Sequence, residues 1–65
     1  ALRSARRDLA MASGVPPYVI CHDSTLREMA DAMPMTLAAM SKITGMGAKK
    51  LSAYGDEFLT VIRRF

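Results

Sequence analysis

The segment from Ile43 to Leu51 constrains the fold most, because Gly45 and Gly47 stand one residue apart within it. Glycine adopts backbone angles that a side chain penalises, and it lets another molecule approach bare peptide groups. After Gly47 the composition turns helical, so the segment predicts a tight turn that leads into a helix N-terminus. Lys49 and Lys50 stand in the first turn of that helix.

Two interpretations of this turn remain open from the local sequence. Free N–H groups and the positive end of the helix dipole make a helix N-terminus a site for phosphate. The two lysines oppose the dipole there, which suggests that an anion is expected. Alternatively, the segment is an ordinary glycine-bearing turn between helices, and its lysines are simply solvated.

Length and charge restrict the protein class. A chain of 65 residues forms one domain, expected to span residues 1–65, and domains of this size bury only roughly 60% of their unfolded surface. Nine basic against six acidic residues give a net charge of +3, which permits nucleic acid as a partner without requiring it. Cys21 and His22 are too few for a disulfide or a structural zinc site.

Apolar periodicity and stop signals predict a bundle of about five short helices, since no useful stretch alternates with period two. The first helix spans Leu2–Ser13 and stops at Gly14. The second helix starts with a cap at Asp23, Ser24 or Thr25 and ends before Pro34; Thr25 and Glu28 have capping-box spacing. A short third helix is capped by Thr36. A fourth helix runs roughly from Ala48 to Tyr54, Gly55 ends it, and Asp56 caps the fifth.

One face of each predicted helix is expected to be buried. The expected core positions are Leu2, Ala5, Leu9 and Ala12; Leu26, Met29, Ala30 and Met33; Leu37, Met40 and Ile43; and Phe58, Val61, Ile62 and Phe65. The proline-containing segment 15–20 is expected to cross the core as an extended or single-turn piece.

Tyr18, on that proline-containing segment, has two open interpretations. Its ring completes the core with its hydroxyl on a backbone group, or it offers a face for an unstacked base. Cys21 and His22 are expected to be a packed thiol and a surface imidazole, because adjacent side chains usually point apart. The three arginines of the first helix (Arg3, Arg6 and Arg7) form a solvated face or flank a phosphate-binding surface.

Several motifs, in order and with compatible spacing, resemble the HRDC domain of RecQ-family DNA helicases and ribonuclease D-type exonucleases. They are Val15–Ile20, Asp23–Ala30, Met33–Pro34, Ile43–Gly47, Lys50–Leu51, Tyr54–Gly55 and Phe58. The chain is most similar to the bacterial RecQ version. Cys21 departs from the family pattern, in which an aromatic residue is common.

The resemblance implies a compact all-α bundle with a helix-hairpin-helix-like turn at Gly45 to Gly47. It implies an auxiliary, non-catalytic role in binding single-stranded or partly unwound DNA, which tunes substrate choice in DNA repair and recombination. An aromatic on the proline-rich loop contacts single strands in some members, and Tyr18 corresponds to it. Basic positions vary among members, so Lys42, Lys49, Lys50 and Arg7 are predicted DNA contacts rather than transferred ones.

A protein-docking module is the alternative function, and a ribonuclease D-type exonuclease is the alternative parent. An enzyme is the weakest hypothesis, because the chain has no P-loop pattern and no recognisable acid–base pair. No cofactor or metal is expected in the domain. DNA at low affinity and other helicase domains are the expected partners, without a membrane, for a monomer in the bacterial cytoplasm at the nucleoid.

Overall fold

A computed structural model describes residues 1–64 and contains five helices and no strand over that range. The helices are α1 (Leu2–Ser13), α2 (Pro17–Ile20), α3 (Asp23–Ala32), α4 (Leu37–Met40) and α5 (Ala48–Arg63). The predicted all-α bundle is therefore confirmed. The predicted core position Phe65 lies outside the described residues.

Helix α1 has the predicted bounds, because its stop signal works as expected. Gly14 adopts the left-handed conformation (φ 69°), and its N–H donates to carbonyls of the last turn. Pro16 and Pro17 then start the single turn of α2, with Pro17 at the first helical position. Helix α1 packs against α2, α3 and α5, and α4 packs against α5.

The core lies where these helices meet and is rich in sulfur. Its largest fully buried side chains are Phe58, Ile20, Met29, Met40, Ile62 and Cys21. Methionine and cysteine fill irregular gaps between short helices that carry few aromatic residues. Leu2, Ala5, Leu9, Val15, Leu51 and Tyr54 pack partly buried against this core.

Several core predictions were wrong in detail. Ala12, Ala30, Met33 and Leu37 are exposed, whereas the unpredicted Ala10, Met46 and Leu59 are buried. Met33 leaves the α3 stripe because it ends the helix in the left-handed conformation (φ 48°) just before Pro34. Val61 is half-buried at the edge of the predicted α5 face.

The predicted break at Gly55 and Asp56 was also wrong, since α5 runs without interruption through both residues. Gly55 is buried in mid-helix and does not have a positive φ. A Cβ there would lie 2.8 Å from Leu37 Cδ2 and 3.3 Å from Leu51 Cδ1. Glycine at this position therefore gives α4 room to pack against α5.

The predicted caps had mixed outcomes. Thr36 caps α4 as expected, with its hydroxyl accepting a hydrogen bond from the Ala39 N–H at 3.1 Å. The N-cap of α3 is His22, which makes no side-chain capping bond. The capping box of Thr25 and Glu28 is absent because both side chains hydrogen-bond to Thr44 instead.

Candidate nucleic-acid interface

Two side chains of α3 hydrogen-bond to the turn between α4 and α5, and both bind the backbone of one residue, Thr44. The Thr25 hydroxyl donates to the Thr44 carbonyl at 3.0 Å, and the Thr44 N–H donates to Glu28 Oε2 at 3.0 Å. Thr25 is buried, whereas Thr44 is exposed. Two side chains one helical turn apart on α3 thus fix both the donor and the acceptor of a single turn residue.

Gly45 fits this arrangement for two reasons. Its φ is 91°, a conformation that L side chains rarely adopt. A Cβ on Gly45 would lie only 2.5 Å from the Thr25 hydroxyl oxygen. The space that glycine leaves at this position is therefore occupied by the protein's own Thr25.

Gly47 differs from Gly45 in both respects. Its φ is −68°, which any residue adopts, and a Cβ there would meet nothing within 4 Å. It is the N-cap of α5 and offers no side-chain cap. The open approach predicted for the glycine turn is thus present on the Gly47 side.

A run of backbone amides is free at this end of α5. Within residues 1–64, the N–H groups of Gly45, Gly47, Ala48, Lys49 and Lys50 have no hydrogen-bond partner, and the helical ladder begins with the Leu51 N–H donating to the Gly47 carbonyl at 2.9 Å. Of the five residues with free amides, all are exposed except Lys50, which is half-buried. The amides and the helix dipole together form a positive end that suits an anion.

The three predicted lysines differ in their exposure. Lys42 and Lys49 are exposed, two residues before and five residues after Thr44. Lys50 is half-buried, and its charge acts on the Cys21 thiol. The first turn of α5 is therefore within electrostatic reach of the segment that joins α2 to α3.

Cys21, at the end of α2, is joined to α1 by the hydrogen bond from Arg6 to its carbonyl. Burial raises the pKa of the Cys21 thiol, and the positive charges of Arg6 and Lys50 oppose that rise. Cys21 is fully buried and His22 is exposed, as predicted. A buried thiol with a raised pKa is a poor nucleophile.

Tyr18 lies on α2, three residues before Cys21, and 62% of its surface is exposed. Its ring is therefore not a core residue, which removes one of the two interpretations left by the sequence. Val19 beside it is 43% exposed. An exposed aromatic ring on a short, proline-started helix is a surface on which a base can stack.

Arg6 and Arg7, adjacent on α1, have different surroundings. Arg6 is largely buried, and its Nη1 donates to the Cys21 carbonyl at 3.1 Å and pairs with Asp23 Oδ1 at 2.8 Å. This hydrogen bond lowers the pKa of the Asp23 carboxyl below its usual value. Arg7 is exposed, and its closest acidic neighbour is Asp8 at 3.8 Å, a weak surface pair. Arg6 is thus structural, while Arg7 stays available.

Arg3 faces a different surface, together with Arg27. Both act on the Asp23 carboxyl and line a groove of about 540 Å³. The other lining residues are Ala1, Leu2, Asp23, Leu26, Ala30, Met33 and Ile62. Arg3 and Arg27 thus share this groove, whereas Arg63 donates to the Met35 carbonyl and Arg7 lies beside Asp8, so the basic residues do not converge on one surface.

Sequence reasoning missed Thr25 and Glu28 as residues of the turn. The spacing of the two residues was noticed, but as a local capping signal. Their partner lies 16 to 19 residues away, and no pattern within α3 indicates that contact. Thr25 stands four residues before the predicted core residue Met29, and this helical spacing of a polar residue with the apolar face was the available signal.

Comparison with known proteins finds one domain family over nearly the whole chain. The family model of the HRDC domain matches residues 1–62. An ATP-dependent DNA helicase RecQ of Haemophilus influenzae is 39% identical over 62 residues, and an ATP-dependent DNA helicase UvrD2 of Mycobacterium tuberculosis is 40% identical over 62 residues; each alignment covers 95% of this chain. The solved D. radiodurans RecQ HRDC domain 3 superposes with a TM-score of 0.94 and 35% identity, covering 97% of this chain and 83% of that one.

The chain spans about a tenth of the length of the curated relatives it matches, 10% for the Haemophilus helicase and 9% for the mycobacterial one. No helix within residues 1–64 has the length and apolarity needed to cross a membrane. Over the same residues, no three histidine, cysteine or acidic side chains gather closely enough to hold a metal ion.

Proposed function

The chain belongs to the HRDC domain family, and from this premise we propose that it is an auxiliary, non-catalytic DNA-binding module of a RecQ-type helicase. The relatives named above are ATP-dependent DNA helicases, which supports a helicase parent over a ribonuclease D-type one. The parent supplies ATP hydrolysis and strand separation. This domain supplies contacts to single-stranded or partly unwound DNA that tune which structures the parent engages in repair and recombination.

The run of free amides at the start of α5 is the observation that supports this proposal best. A phosphate accepts hydrogen bonds from the N–H groups at Gly47, Ala48 and Lys49, and the ammonium group of Lys49 neutralises its charge. Lys42, two residues before Thr44, and Lys50, directly after Lys49, are further candidate contacts. Arg7 is a further candidate contact on α1.

Tyr18 supplies the second kind of contact, a ring face for a base. Its ring is exposed on the proline-started α2, which supports this role. Stacking of one base on an aromatic ring is worth about 1–3 kcal/mol. With few phosphate contacts, the domain alone binds weakly, on the order of the 10⁻⁴–10⁻⁶ M of non-specific complexes.

The decisive experiment is a fluorescence anisotropy titration of a labelled single-stranded oligonucleotide with the wild-type domain and two double variants. Lys49→Ala with Lys50→Ala removes two charges at the turn, and Arg3→Ala with Arg27→Ala removes two charges at the groove. The lysine variant is expected to lose most of the affinity, and the arginine variant to retain it. Equal effects of the two variants would overturn the assignment of DNA to the turn.

Two further measurements refine the same proposal. The affinity should fall with salt at a slope of about 0.7 per phosphate contacted on a single strand. Tyr18→Ala should weaken binding, while Tyr18→Phe should retain it because the ring face is kept. An affinity that does not change between low and moderate salt contradicts a phosphate-based site.

Protein docking is the second candidate function, and the groove beside α3 is the observation that favours it. Leu2, Leu26 and Ile62 give the groove an apolar floor, with Arg3 and Arg27 at its side. Such a groove fits an apolar segment that carries acidic residues, from the parent helicase or from another protein. Chemical-shift changes at these groove residues, but not at Gly47 or Lys49, on adding the remaining helicase domains would support this function.

A further inference from the structure

Glu28 places a carboxylate against the turn that directly precedes the amides of the proposed DNA contact. Its Oε2 accepts the Thr44 N–H at 3.0 Å, and its side chain is half-buried beside the turn. Thr44 is followed directly by Gly45 and, three residues on, by the N-cap Gly47. One of the turn's amides is therefore already occupied by an anionic group of the protein.

The turn has a second, uncharged support. The Thr25 hydroxyl holds the Thr44 carbonyl, and Gly45 packs directly over Thr25. The backbone geometry therefore does not require a negative charge at position 28, since a neutral acceptor makes the same hydrogen bond. The charge of Glu28 instead repels any phosphate that approaches the neighbouring free amides.

We propose that Glu28 limits the affinity of the turn for phosphate, so that the α5 end binds DNA more weakly than its free amides and lysines would allow. The inference rests on the proposed DNA-binding function and deepens it. Glu28 has two separable roles: the oxygen atom orders Thr44, and the charge restrains anion binding. In a module that tunes a helicase, such restraint keeps contact with the strand brief.

Glu28→Gln separates the two roles, because the glutamine oxygen accepts the Thr44 N–H without carrying a charge. Removal of one like charge at the surface is expected to tighten oligonucleotide binding by about two- to fivefold at low salt. The gain should shrink as salt rises, because the repulsion is screened. Anisotropy with the same labelled single strand measures both effects.

Glu57→Gln is the matched control, since it makes the same change in net charge. Glu57 is exposed on α5, nine residues after the helix start, which places it roughly 13 Å along the axis from the free amides. It is expected to change the affinity much less than Glu28→Gln. Equal gains from the two variants would show a general charge effect and would overturn the inference.

The lysine variants distinguish this inference from the proposed function. If Lys49→Ala with Lys50→Ala abolishes binding while Glu28→Gln matches Glu57→Gln, DNA binding stands and the restraint by Glu28 is overturned. If no variant binds the oligonucleotide, the proposed function is overturned. Inorganic phosphate then tests Glu28 alone: larger amide shifts at Gly47 and Lys49 in Glu28→Gln than in wild type support the restraint, and equal shifts overturn it.

Hydrogen exchange tests the underlying contact without any ligand. The Thr44 amide should be protected in wild type and in Glu28→Gln, and should exchange faster in Glu28→Ala, where the acceptor is gone. Unchanged exchange at Thr44 in Glu28→Ala would show that Glu28 does not occupy this amide, and the inference would be overturned.

Discussion

The turn at Gly45 and the middle of α5 at Gly55 both leave no room for a Cβ, but the neighbours that fill the space differ. At Gly45 the obstacle is the hydroxyl of Thr25, which is buried and engaged with the Thr44 carbonyl. At Gly55 the obstacles are methyl ends of Leu37 and Leu51, and Leu37 is 42% exposed. Thr25 is fixed by a hydrogen bond and by burial, whereas the obstacles at Gly55 are the far ends of two flexible side chains, the exposed Leu37 and the half-buried Leu51.

The two sites also differ in how far their backbone conformation requires glycine. Gly45 has a left-handed φ of 91°, whereas Gly55 has ordinary helical geometry within α5. The turn therefore needs glycine for its backbone and for its packing, and the helix needs it for packing only. Steric crowding by itself does not predict how much a glycine contributes to stability; the mobility of the neighbour decides it.

The largest expected effect is that of Gly45→Ala. The substitution strains the left-handed backbone and pushes the Thr25 hydroxyl off Thr44, so the free energy of unfolding should fall by about 2–4 kcal/mol. Urea unfolding of the domain measures it. Gly14→Ala is the matched control, because Gly14 has a φ of 69° but nothing within 4 Å of its Cβ position. If Gly45→Ala lowers the free energy of unfolding no more than Gly14→Ala does, the Thr25 side chain moves aside without destabilising the domain.

Thr25→Val should have the next largest effect and sharpens the comparison from the other partner. It keeps the shape of the side chain and removes only the hydroxyl that donates to Thr44, so we expect a loss of about 1 kcal/mol. The Thr44 and Gly45 amide signals should shift, while those around Gly55 should not. Stability equal to wild type would show that the turn is held by packing and Glu28 alone.

Gly47→Ser tests the open side of the turn and should stabilise the domain. Serine caps the free amides of α5, and loss of a glycine restricts the unfolded chain, so a gain of about 0.5–1 kcal/mol is expected. Thermal unfolding should shift upward by a few degrees. The cap also competes with phosphate, so oligonucleotide affinity should fall as stability rises. A parallel rise in both would contradict phosphate binding at these amides.

Gly55→Ala should have the smallest effect, within about 0.5 kcal/mol of wild type. Alanine favours the helix by about 1 kcal/mol, and displacement of the Leu37 methyl group offsets that gain. The double variant with Leu37→Ala removes the nearer of the two obstacles, so the substitution at Gly55 should be more favourable in that background. A loss as large as that of Gly45→Ala would erase the distinction between the two sites.

Many helix bounds and caps could be predicted because they depend on residues that are close in the sequence. The bounds of α1, the stop at Gly14, the Thr36 cap and the exposure of His22 follow from rules that act within one or two helical turns. The family motifs predicted the all-α bundle and the turn before α5. The predictions that failed, the Gly55 break and the Thr25 capping box, were those in which a local signal competed with a distant partner.

Local sequence was therefore enough for the bounds of α1, the start of α5 and the basic residues in its first turn, because these depend on composition over a few residues. Packing of the helices decided that Gly45 is locked while Gly47 is open, that Tyr18 is exposed, and that Glu28 occupies an amide of the turn. Those outcomes depend on contacts between residues 16 or more positions apart, and such contacts exist only once the helices have packed.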